Sequence, residues 1–145
     1  MSTSSFKVSA RNVFPGTVTA ITSGAVNDEV SLVLPGGDTV VAVVTHASVR
    51  DLGLAVGGAV MAVIKAPWVI VAAGDGGPRF SARNQLAGKV TAVKAGAVNA
   101  EVAITLPGGT VVHAVVTQEA VGELGLVVGA QARAIIKASH VILAV

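Results

Sequence analysis

The sequence predicts an all-β protein made of two small tandem barrels, each with one short helix. Three observations carry that expectation: apolar, largely β-branched residues alternate with polar or small ones over short runs, turns rich in Gly and Pro bound those runs, and the whole pattern occurs twice. The chain has 145 residues, of which 52% are hydrophobic and only 12% charged, and its mean hydropathy is +0.76. Disorder is excluded, because it requires low hydrophobicity with high net charge. The lack of cysteine removes disulfide frameworks, zinc ribbons, iron–sulfur centres and thiol nucleophiles together.

The repeat is exact in places. Ser9-Ala10-Arg11-Asn12 returns as Ser81-Ala82-Arg83-Asn84, an offset of 72 residues, and the match runs on without a gap. Gly24-Ala25-Val26-Asn27 corresponds to Gly96-Ala97-Val98-Asn99, Leu34-Pro35-Gly36-Gly37 to Leu106-Pro107-Gly108-Gly109, and Ile64-Lys65-Ala66 to Ile136-Lys137-Ala138. The organisation expected is therefore a first domain over residues 1–73, a linker over 74–80 and a second domain over 81–145. The linker, Gly74 to Phe80, is glycine-rich and partly stiffened by Pro78.

Within each copy the elements follow in order. Val18, Ala20 and Ile21 form a first strand that ends at the Gly24 turn. Val30, Leu32 and Leu34 alternate with Ser31 and Val33 in a second, and Pro35-Gly36-Gly37 turns the chain into a third at Val40–Val44. His46 to Leu52 makes a short helix, with Thr45 as its N-cap and Gly53 just past its end. Two more strands are expected near Ala59–Lys65 and Trp68–Ala72. The second copy keeps this logic with Thr117 and Gly125. Five short strands and one helical turn in so few residues fit a small, partly open barrel of the OB type.

The most apolar stretch, Leu52 to Gly74, is long enough on paper to cross a bilayer. Lys65, Pro67 and several glycines interrupt it, and its β-branched residues favour two buried strands instead. The Ser/Thr-rich start, Met1 to Lys7, has no apolar segment of the kind found in signal peptides. No membrane association and a cytoplasmic location are the expectations. Units this small and this sparsely charged cannot hide all their valines and alanines, so a homo-oligomer with closed symmetry is expected.

The duplication also filters candidate functional residues. Of the ten basic residues, only Arg11/Arg83 and Lys65/Lys137 recur at matched positions. Each lies beside small or hydroxylated neighbours, which let backbone N–H groups approach a ligand while Arg or Lys supplies charge. No acid stands among these matched residues, and the helix N-termini at Thr45 and Thr117 offer further N–H donors. Such a donor set suits an oxyanion.

Other chemistries find little support. His46, His113 and His140 do not recur as histidine, and Glu29/Glu101 and Asp51/Glu123 are too few and too separated for a carboxylate cage, so no metal-cation site is expected. No Ser, His and acid set recurs either, which argues against an enzyme. Nucleic-acid binding is encouraged by a sequence pI near 9.4, yet only Phe6, Phe14, Phe80 and Trp68 could stack bases and the net charge is merely +2.

Taken together, Ser-Ala-Arg-Asn, Gly-Ala-Val-Asn-Ala-Glu-Val, Val-Val-Thr, Leu-Gly-Leu and Ile-Lys-Ala-Ser resemble the Mop domain, the molybdenum-pterin-binding or molbindin module of the TOBE group. Both repeats share the resemblance, although the first has Asp28 for Ala100 and Pro67-Trp68 for Ser139-His140. The resemblance implies a five-stranded OB-like barrel and six Mop units per assembly, hence a homotrimer for a two-unit chain. It implies molybdate or tungstate bound at interfaces between units, no organic cofactor, and a role in molybdenum storage and homeostasis. The ligand positions it implies are Ser9, Ala10, Arg11, Asn12, Thr45, Ser48, Lys65 and Ala66. In the second copy they are Ser81, Ala82, Arg83, Asn84, Thr117, Lys137, Ala138 and Ser139. A second class of site is implied at the turns Ala25, Val26, Asn27 and Ala97, Val98, Asn99. An oxyanion sensor acting on a protein partner is the alternative reading. Because molybdate is a tetrahedral dianion with no proton to give at neutral pH, its partners should be donors, in keeping with the acid-free matched set.

Overall fold

A computed structural model describes residues 7–74 and 76–145; Met1–Phe6 and Asp75, part of the expected first domain and of the linker, lie outside the described residues. Strands β1 (Asn12–Ser23), β2 (Asn27–Val33), β3 (Thr39–Thr45), β4 (Ala59–Ile64) and β5 (Ile70–Ala73) belong to the first repeat. β6 (Asn84–Lys94), β7 (Asn99–Thr105), β8 (Val111–Thr117), β9 (Gln131–Ile136) and β10 (Ile142–Ala144) belong to the second. Helices α1 (His46–Asp51) and α2 (Gln118–Leu124) follow β3 and β8. The sequence reading of one short helix per copy holds in detail: Thr45 Oγ1 accepts from Ser48 N, Thr117 Oγ1 accepts from Ala120 N, and Gly53 and Gly125 take the left-handed conformation just past the helices.

One expected element shifts. Ala66–Trp68 forms a 3₁₀ turn, with β5 starting only at Ile70; Pro67 suits the first turn of a helix, but the matched turn has Ser139 in its place and forms all the same, so the proline fits the turn rather than causing it. The equivalent turn is Ala138–His140.

The sheets reveal what the repeat conceals. The strand orders are β10-β4-β1-β2-β3 and β5-β9-β6-β7-β8, all neighbours antiparallel. Each five-stranded sheet therefore takes its last strand from the other repeat: Ile142 pairs with Val63, and Ile70 with Ile135. In each sheet the first and last strands pack against one another, so the sheet curls into a barrel. A bulge at Thr19, matched at Thr91, bends the long first strand of each copy toward closure.

Alternate residues of β2, β3, β7 and β8 face a single hydrophobic core shared by both repeats, with Val30, Leu32, Val40, Val102, Ile104 and Val112 fully buried. The two Pro-Gly-Gly turns meet back to back. A Cβ on Gly36 would run into the carbonyl oxygen of Gly108, so only glycine permits the approach.

Candidate functional site

The Ser-Ala-Arg-Asn motifs lead into β1 and β6, where their asparagines are almost wholly buried. Asn12 Nδ2 donates to His113 O at 2.8 Å, and Asn12 Oδ1 accepts from His113 N at 2.7 Å. Asn84 makes the same pair of bonds with Val41. These side-chain amides thus act as one residue of an additional strand along the outer edges of β8 and β3, each reaching into the opposite repeat. An otherwise open edge is closed in this way.

Arginines in the same motifs are paired as well. Arg11 Nη1 donates to Glu101 Oε2 at 2.8 Å, and Arg83 Nη1 donates to Glu29 Oε2. Both bonds cross between repeats. The acid-free neighbourhood expected for these arginines is therefore corrected: folding lays β2 and β7 against the opposite motif and brings in a carboxylate that is distant in sequence. Glu29 and Glu101 stand 72 residues apart, so the repeat carried the signal, although as isolated carboxylates they suggest only cation ligands.

Lys65 and Lys137 present a different picture. Asn12 pairs with Ile64 and Asn84 with Ile136, so each matched lysine leaves the ladder at the end where the matched arginine enters it. Both lysines are exposed, and no carboxylate among the described residues forms an ion pair with either. Ala66 and Ala138 are buried at the start of the 3₁₀ turns, which leaves their backbone as the part able to meet a ligand. The Lys65 ammonium lies 5.5 Å from the Trp68 ring centroid, and that ring lies 5.3 Å from His140, its counterpart in the second repeat.

Strand exchange decides the grouping of the hydroxyls. The 3₁₀ turn at Ala138–His140 packs on β3, and the one at Ala66–Trp68 packs on β8. As a result Thr45, Ser48 and Ser139 line one pocket of about 370 Å³ together with Asn27, joining residues of the two repeats and of both expected site classes. Thr45 Oγ1 and Ser48 Oγ are 2.7 Å apart. On the other side Thr117 faces a turn in which Pro67 stands for Ser139, and Ala120 for Ser48, so two hydroxyls are missing. Ser9–Asn12 and Ser81–Asn84 do not line the Thr45 pocket; Asn84 is held on β3 at Val41, whereas Asn12 is held on β8 at His113 and Arg11 lines a separate pocket with Glu101 and His113.

The helix N-termini are less open than expected. His46 N donates to Val26 O at 2.8 Å and Gln118 N to Val98 O at 2.7 Å, while Ser48 N and Ala120 N are held by the capping threonines. These bonds fix the Ala25–Asn27 and Ala97–Asn99 turns, whose valines project into solvent at 70% and 72% exposure. In the first repeat Asp28 adds a further anchor. It is fully buried and accepts from Gly24 N at 3.1 Å, and its carboxylate lies 2.9 Å from His46 Nδ1. Among the described residues no cluster of His, Asp and Glu suits a metal cation, and no helix is long and apolar enough to cross a membrane.

Comparison with known proteins gives a consistent picture. The TOBE domain family model matches residues 8–71 and again 81–143. The molybdenum-pterin-binding protein MopA of Rhodobacter capsulatus is 46% identical over 95% of this chain and 52% of its own length. The molybdenum transport protein ModE of Azotobacter vinelandii is 42% identical over the whole of this chain and 53% of its own. The chain thus spans about half the length of these relatives. Among solved structures, the cytoplasmic molybdate-binding protein ModG with molybdate bound is 57% identical, with a TM-score of 0.92 over 97% of this chain and 99% of that one. Two complete matches in one chain, on two barrels that share their last strands, place this protein in the TOBE-domain family.

Proposed function

We propose that the protein binds molybdate or tungstate in the cytoplasm, for storage and homeostasis of the oxyanion, and performs no catalysis. The observation that carries this reading is the likeness, at 57% identity and over nearly both full chains, to a molybdate-binding protein captured with its ligand. Chemistry agrees with it. Lys65 and Lys137 are exposed and free of carboxylate partners among the described residues, and Ser139 adds a hydroxyl two residues beyond Lys137, in keeping with a tetrahedral dianion that needs donors.

The functional assembly we infer is a homotrimer holding six Mop units, here the repeats over 1–73 and 81–145 on either side of the 74–80 linker. Matched hydrophobic residues left in solvent support association: Val26 and Val98, and Val56 and Val128, the latter at 64% and 68% exposure. Oxyanion sites at the joins between units would combine the Ser-Ala-Arg-Asn strips, the two lysines with Ala66, Ala138 and Ser139, and Thr45, Ser48 and Thr117. The Ala25–Asn27 and Ala97–Asn99 turns would contribute a second class. A sensory role toward a protein partner is the second reading, favoured by the chain's 35% identity to about half the length of the transcriptional regulator ModE of Yersinia pestis.

Equilibrium dialysis against molybdate, tungstate and sulfate, paired with native mass spectrometry, tests the proposal. Saturable uptake of the first two by a three-chain species is expected. No saturable molybdate uptake at micromolar concentration would overturn the binding reading, and a monomeric species binding normally would overturn the assembly.

A further inference from the structure

The two Arg–Glu pairs are alike in contact and unlike in surroundings. Around Glu101 the structure collects three basic groups. Arg11 donates to Oε2 at 2.8 Å, His113 Nδ1 lies 3.2 Å from Oε1, and Lys94 stands directly across the β6–β7 ladder and lines the same small pocket with Arg11 and His113. His113 Nδ1 is buried and makes no well-aligned hydrogen bond, so the ring has donor capacity in reserve there. The matched carboxylate, Glu29, meets Arg83, but Thr22 occupies the place of Lys94 and Val41 the place of His113. One carboxylate thus has substitutes for its arginine, and the other has none among the described residues.

From this we infer that Lys94 and His113 are positioning residues that release Arg11 to an arriving oxyanion, making the Arg11 site tighter than its Arg83 counterpart. The inference rests on the proposed molybdate-binding function. An arginine that turns toward a dianion leaves its former carboxylate partner behind. Where the abandoned carboxylate keeps a cationic neighbour the loss is small; where it keeps none, the lost pairing is subtracted from ligand affinity. Lys94 also adds positive potential at the Arg11 side, whereas Thr22 adds none at the Arg83 side. Because Lys94 and His113 do not recur, divergence of these two positions distinguishes the surroundings of two identical Ser-Ala-Arg-Asn motifs, in addition to the Ser48/Ala120 and Ser139/Pro67 differences at the helix and turn.

Isothermal titration with molybdate on the full-length protein provides the test. The parent should show a tighter component that Arg11→Ala abolishes and a weaker one that Arg83→Ala abolishes, apart from any uptake at the Ala25–Asn27 and Ala97–Asn99 turns, which neither substitution touches. Lys94→Thr with His113→Val, which installs the first repeat's residues, should weaken the tighter class about two- to five-fold and leave the other unchanged. Lys94→Arg should keep parental affinity, which a merely structural role for the lysine stem does not demand. The reverse exchange, Thr22→Lys with Val41→His, should strengthen the weaker class. Two classes that persist unchanged in the Lys94/His113 variant, with its melting temperature intact, would overturn the inference and leave molybdate binding standing. Absence of molybdate binding in the parent would overturn the functional reading first.

Discussion

Replacing Asn12 by alanine should be among the most damaging single changes available outside the hydrophobic core. The Asn12 side chain has no exposed surface, and its amide holds both the N–H and the C=O of His113, at 2.7 and 2.8 Å. Alanine leaves both main-chain groups without a partner at a place that water reaches poorly. Each orphaned buried group costs about 1–3 kcal/mol, so the two together cost on the order of 2–6 kcal/mol. For a chain of this size that corresponds to a fall in Tm of roughly 5–15 °C. Asn12→Asp should do no better, since it keeps the acceptor for His113 N–H but loses the donor and faces a carboxylate oxygen toward a carbonyl. Thermal and urea unfolding, followed at one fixed protein concentration so that any association is held constant, would measure the loss. Amide exchange at His113 gives the local readout, with protection expected to drop in the variant. An Asn12→Ala protein that melts within about 2 °C of the parent, with the His113 amide still protected, would refute the reasoning and show the edge of β8 to be closed by other means.

Three further outcomes are expected. Gly36→Ala should cost several-fold more stability than Gly37→Ala, because both positions have positive φ but only the first drives a Cβ into the Gly108 carbonyl; equal losses in urea unfolding would contradict the close packing of the two turns. Cutting the chain between Gly76 and Phe80 should leave the halves bound to each other through size-exclusion chromatography, since β5 belongs to the second barrel and β10 to the first; halves that elute separately would contradict the strand exchange. Lys65→Ala and Lys137→Ala should weaken molybdate binding at least ten-fold with a melting temperature close to the parent's, because both side chains are exposed and outside the core; unchanged affinity in dialysis would remove the lysines from the site.

Much of the local structure was legible in the residues themselves. Alternation at Val30, Leu32 and Leu34 gave β2 its buried face, Thr45 and Thr117 marked the helix starts, and Gly53 and Gly125 marked their ends. These features depend on neighbours a few positions away, so a window of sequence contains their causes. The 3₁₀ turns at Ala66–Trp68 and Ala138–His140 were not legible in this way, since they form with and without a proline. The grouping of candidate ligands was less accessible, because the pocket holding Thr45, Ser48 and Ser139 joins positions more than 90 residues apart.

What the sequence determined by itself was the duplicated unit: its strands, its caps, and the matched motifs that place the chain in its family. Only the tertiary structure decided which repeat completes which barrel. A strand pattern specifies the face a strand buries and the register it prefers, but β4 and β9 are copies with the same hydrogen-bonding edges, so local pairing is equally satisfied within a repeat or between repeats. The choice rests on how the Ala66–Trp68 and Ala138–His140 turns direct the chain after β4 and β9, each onto the opposite barrel. That crossing, together with the edge-closing asparagines, sets Arg11 against Glu101 and Arg83 against Glu29. It also puts Ser139 beside Thr45 and gives the two otherwise matched arginines different surroundings.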